Sequence, residues 1–167
     1  MKRIALMIGL PLTVAALATA AEEKESAKSS EHATAQEHVL FTPSDLKWGD
    51  VPPSLPAGGK MAVLEGDPTK KGLFTVRLQS PDGYKIMPHT HPSAEHVTVI
   101  SGTLRIGMGG KFDEAAAHEL PAGGYVSLPA GMQHYAATSG ETVVQITSMG
   151  PFQIKYVNPE DDPRKAK

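Results

Sequence analysis

The residues best suited to chemistry lie in one short run, His89-Thr-His91-Pro-Ser-Ala-Glu95-His96. Two imidazoles and a carboxylate within seven residues make a dense set of donors for a divalent metal ion. On a strand His89 and His91 point to the same face, with Cα atoms ~6.6 Å apart at ~3.3 Å per residue. Both rings can then converge on one ion. Glu95 would lie another ~13 Å along a straight strand, out of reach of that ion. The chain must therefore bend, and Pro92-Ser93-Ala94 supplies the bend. Adjacent strand residues face opposite ways, so Glu95 and His96 cannot both point at the metal. An inward Glu95 also puts Val97 and Val99 on the core side, which assigns Glu95 to the metal and leaves His96 facing outward or packed under a loop. On its own, the run reads better as two turn histidines beside a surface acid.

A second stretch changes that balance. In Gly123-Gly-Tyr-Val-Ser-Leu-Pro129-Ala-Gly131-Met-Gln-His134, the Pro129-Ala130-Gly131 turn delivers His134 at the start of a new strand. Together the two stretches resemble the cupin superfamily. The first fits G-x5-H-x-H-x3-E-x6-G through Gly83, His89, His91, Glu95 and Gly102, and the second fits G-x5-P-x-G-x2-H through Gly123, Pro129, Gly131 and His134. Thr138 stands where the family often has Asn, which touches none of the ligand positions.

The resemblance covers roughly Met61 to Ser148 and implies an all-β fold, a cupin-type double-stranded β-helix or jelly-roll barrel. It implies that His89, His91, Glu95 and His134 hold one divalent transition metal ion: iron, manganese, zinc, nickel or copper. Four protein ligands on an octahedral ion leave two positions for water, substrate or dioxygen, whereas a tetrahedral zinc leaves none unless its shell expands. The chain looks most like small exported single-domain bacterial cupins, and more distantly like the metal-binding cupin half of some anti-sigma factors. The fold hosts many activities. The expected function is that of a metal-dependent enzyme of dioxygenase, isomerase or lyase type, acting on a small polar or carbonyl-containing molecule. The ion would serve as Lewis acid, and Glu95 is the candidate to take a proton if displaced. The competing reading is a non-catalytic metal or small-ligand binding or sensing module.

The positioning elements read as short strands. Phe74, Val76 and Leu78 alternate with Thr75, Arg77 and Gln79, the pattern of a strand with one buried face. Further strands are expected at Met61–Glu65, Tyr125–Leu128, Tyr135–Thr138, Thr142–Ser148 and Phe152–Val157. His96–Ile100 and Leu104–Gly107 flank Ser101-Gly102, a candidate for a tight hairpin. Pro81-Asp82-Gly83 is a turn, and Glu114–Ala117 has the makings of one helical turn. Trp48, the single tryptophan, is expected to seal one open end of the barrel. Met87, Met108, Met132 and Met149 are expected as core filler. Arg77 and Gln79 are assigned to solvent, Tyr84, Tyr125 and Tyr135 to wall packing, and His118 to an exposed loop.

Composition bounds the rest. The chain has 167 residues, sixteen Lys+Arg and eighteen Asp+Glu, for a net charge of −2, so no global positive field exists to hold nucleic acid. Cysteine is absent, which excludes disulfides, thiolate metal sites and a cysteine nucleophile. No G-x-S-x-G elbow or phosphate-cradling loop occurs. Lys2 and Arg3 precede an apolar run from Ile4 to Leu17, then Ala18-Thr19-Ala20, the layout of a cleaved signal peptide over 1–21. Its removal leaves 14 basic against 18 acidic residues, a net charge of −4. Residues 22–38 read as a disordered tether carrying the tail histidines His32 and His38, 39–157 as the barrel domain, and 158–167 as a flexible tail. The expected location is the periplasm, across the inner membrane and without a stable membrane anchor after cleavage. The expected partners are a small-molecule ligand and a second copy of the chain.

Overall fold

The computed structural model describes residues 38–165, which form strands, turns and short 3-10 segments with no α-helix among them. The expected signal peptide, and the tether up to residue 37, lie outside the described residues. Among the described residues no helix is long and apolar enough to cross a membrane.

Nine strands form one antiparallel sheet that curls on itself: β1 (Gly49–Asp50), β2 (Lys60–Glu65), β3 (Gly72–Ser80), β4 (Lys85–Thr90), β5 (Glu95–Met108), β6 (His118–Pro121), β7 (Tyr125–Leu128), β8 (His134–Gly150) and β9 (Lys155–Tyr156). Two long strands form the spine. β8 runs 17 residues and β5 runs 14. They pair from Glu95↔Ser148 to Met108↔His134. The first half of β8 also pairs with β4, and its second half with β3. Along the other edge of β5 lie β7, then β6. Each long strand thus contributes to both walls of a half-barrel, which fixes the two walls relative to one another.

Alternation explains the core. On β3, Phe74, Val76 and Leu78 are buried while Leu73 is exposed, and their β8 partners Val144 and Ile146 are buried opposite. Phe74 is fully buried, and truncating such a side chain to Ala typically costs about 3–5 kcal/mol. Arg77 points to the opposite face, where its Nε donates to Gln145 Oε1 at 3.4 Å, in keeping with the solvent assignment.

Three expectations need correction. Ser101-Gly102 is not a hairpin, because β5 continues through it with register shifts between Val99, Ser101 and Thr103. Gly102 has φ +75°, and a Cβ there would stand 2.3 Å from the Glu141 carbonyl oxygen. The glycine therefore permits close approach of β8 at a bulge rather than chain reversal. Likewise Ser139 to Glu141 joins two expected strands into β8. Trp48 is 37% exposed and belongs to no core cluster, whereas Leu55 in the proline-rich stretch that follows is buried in the core. Of the four methionines expected as core filler, Met108, Met132 and Met149 are exposed and Met87 is packed against the core. Residues 158–165 contain two 3-10 turns, and Arg164 there donates to the Ile154 carbonyl at 3.1 Å.

Candidate metal centre

Strand register brings the first two histidines together. His89 on β4 sits directly opposite His134 on β8, and the ring centroids are 4.2 Å apart. β4 carries a bulge between Ile86 and His89, and the strand ends at Thr90, so His91 leads into a bend over 92–93 before β5 begins at Glu95. The Pro129–Gly131 turn is tied to this bend. Gly131, at φ +76°, donates its N–H to the His91 carbonyl at 2.9 Å, and Met132 N–H donates to Pro129 at 3.1 Å. Ser148 Oγ donates to the Ala94 carbonyl at 2.7 Å, fixing the residue that precedes Glu95. The two sequence motifs are thus joined by backbone contacts.

All four side chains are buried: His89 and His91 at 4% exposure, Glu95 at 6% and His134 at 2%. The three imidazoles share one mode of orientation. His89 Nδ1 donates to the Met87 carbonyl at 2.7 Å, His91 Nδ1 to Gln153 at 2.8 Å, and His134 Nδ1 to Met132 at 3.0 Å. A ring whose Nδ1 carries the proton presents Nε2 as a lone pair, the state a metal requires. One ligand atom from each of His89, His91 and His134 falls within 4.8 Å of the others. Glu95 Oε2 lies 3.5 Å from His91 Nε2 and 3.4 Å from His134 Nε2.

Two observations show that this set fits a cation. His91 Nε2 is buried and has no hydrogen-bond partner, which leaves a polar atom in need of a ligand. Glu95 is a buried carboxylate whose only ion-pair neighbours among the described residues are those two imidazoles. Such a charge is costly without a cation beside it. Burial, with the neighbouring His134 and His91, depresses His89 to about 3, and burial also lowers His91. Burial alone would raise Glu95, but the His134 contact and the surrounding imidazoles hold it below the ordinary carboxylate range. The site therefore favours neutral His89 and His91 rings and an ionised Glu95 near neutral pH. The His89, His91 and His134 group could bind a metal ion, with Glu95 placed against two of its members.

A chamber of about 50 Å³ opens from His89, Glu95 and His134 into the half-barrel, between apolar walls that include Leu78, Val97, Ile106 and Ile146. Its far end carries Ser80, Thr138 and Thr142. The Thr138 hydroxyl donates to Pro81 at 2.6 Å, and that of Thr142 contacts the Thr103 and Gly140 carbonyls at 3.1 Å. Those hydroxyls are engaged by backbone, and no Lys or Arg lines the chamber. Polar recognition inside it falls to the metal end and to the Ser80 hydroxyl.

His96 lies on the exposed face, its Nδ1 2.7 Å from the Tyr125 hydroxyl. His118 is exposed on β6 rather than in a loop. The aromatic residues expected in the wall divide. Tyr84 and Tyr135 are buried, with hydroxyls donating to Pro56 and Asp113 carbonyls, whereas Tyr125 is exposed. Sequence reasoning missed Phe152, which stacks on His91 with centroids 4.4 Å apart and planes 15° from parallel. It also missed the Gln153 carbonyl and Tyr156, whose ring is 5.9 Å from His89. The alternation of Phe152, Ile154 and Tyr156 was the available signal for an inward face.

No curated protein matches the sequence significantly. Among solved structures, the polyketide cyclase RemF from Streptomyces resistomycificus is similar at 15% identity and a TM-score of 0.63, over 77% of this chain and 92% of its own. The DMSP lyase DddQ from Ruegeria pomeroyi is similar at 17% identity and 0.55, over 73% and 72%. An RmlC-like cupin from Shewanella frigidimarina is similar at 18% identity and 0.53, over 68% and 90%. At these identities the likeness is one of fold, and it agrees with the cupin architecture described above. Membership rests on sequence: residues 36–153 match the ChrR cupin-like domain, a span holding both motifs and all four converging side chains. The chain belongs to the ChrR cupin-like domain family, within the cupin superfamily.

Proposed function

We propose that this chain is an exported, metal-dependent enzyme acting on a small polar or carbonyl-containing molecule, by dioxygenase, isomerase or lyase chemistry. The observation that carries the proposal is the unpartnered, buried Nε2 of His91 beside two imidazoles of the same orientation and the Glu95 carboxylate. In this reading His89, His91, His134 and Glu95 would hold one divalent ion, which would supply Lewis acidity. The backbone carbonyls of Met87, Met132 and Gln153 fix the rings before any ligand arrives. Glu95 balances the charge and is the residue available to accept a proton. The apolar walls exclude water, and a chamber of about 50 Å³ admits a body of only a few heavy atoms. The polar end of such a molecule would have the metal as its main partner, because the Thr138 and Thr142 hydroxyls already serve backbone carbonyls.

The test begins with element analysis of protein purified from its own host, followed by oxygen-uptake, isomerase and lyase screens on small ketones and hydroxy acids. Turnover lost on chelation and restored by one metal supports the enzyme. Stoichiometric metal without turnover supports the second reading, a non-catalytic metal or small-ligand module, which the small size of the chamber favours. The export part of the proposal rests on the amino-terminal pattern of 1–21 and the expected periplasmic destination. Intact mass of the mature protein should place its first residue at Ala21 or Glu22, and an intact Met1 species in the membrane fraction would overturn export with cleavage.

A further inference from the structure

We infer that the fold contains a second binding site, an apolar cavity beside the metal centre that takes a small uncharged hydrocarbon-like molecule, and that Phe152 links its occupancy to His91. The cavity is about 130 Å³ and lies between the Pro52–Leu55 stretch and the inner face of β3. Its walls include Leu55, Phe74, Val76, Phe152 and Ile154, and no charged side chain lines it. Of its two hydroxyl residues, Thr69 already donates to Asp67 at 2.6 Å. Water needs two to four polar partners to be held in such a space, whereas an apolar cavity of about 150 Å³ stays dry and binds benzene. Size and lining therefore both select a compact apolar ligand.

The outer wall is built, not incidental. Tyr156 donates its hydroxyl to the Ser54 carbonyl at 2.8 Å, and Tyr84 donates to that of Pro56. Leu55 N–H closes the turn onto Pro52 at 2.9 Å. The inner wall is shared with the metal chamber through Leu78 and Ile146. Phe152 meets Phe74 edge-on at 5.2 Å and lies flat on His91 at 4.4 Å. The next residue, Gln153, supplies the carbonyl that orients the same imidazole. A molecule seated against Phe152 and Ile154 thus touches the segment that positions His91. Phe152 is a positioning residue for that ligand. The site goes beyond the enzymatic reading and stands without it.

The experiment uses the full chain, with benzene as probe and benzoate as its charged counterpart. Benzene should shift the methyl resonances of Leu55, Val76 and Ile154 saturably, with a dissociation constant in the millimolar range or somewhat below, as suits a ligand of about six heavy atoms. Benzoate should shift none of them. Leu55→Phe and Val76→Phe each fill the cavity and should weaken binding at least about tenfold; the two positions guard against one variant failing to fold, which a melting curve reveals. In cobalt-loaded protein, benzene should displace the visible absorption bands and change cobalt affinity several-fold. Absence of saturable shifts, or shifts centred on Leu104 and Ile106 in the metal chamber, would overturn the second site. Binding with an unchanged cobalt spectrum would overturn the role of Phe152. Failure to bind cobalt at all would instead sink the metal-centre proposal, and the methyl titration would still decide the cavity.

Discussion

The backbone carbonyl of Gln153 accepts the Nδ1 proton of His91 at 2.8 Å across 62 residues of sequence, and Phe152 lies against the same ring. One short segment outside both motifs therefore sets the tautomer and the plane of a metal-ligand candidate. Phe152→Leu should keep an apolar side chain at this position while removing the stack. Outer-shell partners of this kind typically account for about 10–100-fold in metal affinity. A loss near the low end of that range is expected in a competition titration, with a melting curve close to that of the parent. Unchanged affinity would mean that Gln153 alone holds the ring.

Glu95 is the member of the site whose role is least constrained by hydrogen bonding. Glu95→Gln removes the charge and preserves the shape. If the carboxylate is a ligand, metal affinity should fall by about tenfold or more. Affinity equal to that of the parent would leave three histidines as the binding set and make Glu95 a neighbour only.

The depressed proton affinities of His89 and His91 make the metal-free fold sensitive to acid. His89 titrates at about 3 in the fold against an ordinary value of 6.5, so between these pH values the unfolded chain binds more protons. Stability contributed by the neutral ring is complete above about 6.5 and is lost as pH falls toward 3, at up to about 1.4 kcal/mol per pH unit for each such group. Glu95 acts in the same direction below its ordinary 4.5, because its folded value is lowered. The urea midpoint of chelated protein should therefore drop between pH 7 and pH 5. A midpoint constant over that range would contradict the buried neutral imidazoles.

Gly102 and Gly123 both have positive φ, and both belong to the motifs, yet they differ in surroundings. A Cβ at Gly123 meets nothing within 4 Å, whereas at Gly102 it would stand 2.3 Å from the Glu141 carbonyl oxygen. Gly123→Ala should cost about 1–2 kcal/mol, from the left-handed conformation alone. Gly102→Ala should cost clearly more, since β5 and β8 must separate at the bulge. Equal losses in chemical denaturation would show that the bulge yields freely.

Much of this arrangement was legible in the sequence because it rests on local periodicity. Alternation placed Phe74, Val76 and Leu78 inward, and motif spacing picked out the four side chains that the fold brings together. Ser101-Gly102 was misread for a physical reason. A glycine with positive φ serves a tight hairpin and a bulge equally well, and only the course of β8 beside it distinguishes them. Met108 and Met149 are exposed because strand position, not side-chain type, decides which face a residue takes; Met149 sits opposite exposed Leu73. The carbonyl of Gln153 could not be found by any residue-type signal, since every residue has one.

The most direct test of the metal centre compares His91 with His96, five residues apart and on opposite faces. Both variants to Ala would be purified alongside the parent, checked for a cooperative melting transition, and assayed for bound metal by element analysis after equilibrium dialysis. His91→Ala should lose most of its metal, because it removes the buried Nε2 that has no other partner. His96→Ala should remain nearly stoichiometric, because its ring contacts only the exposed Tyr125 side of the sheet. Full occupancy in His91→Ala, or equal loss from both variants, would contradict a metal centre built on His89, His91 and His134.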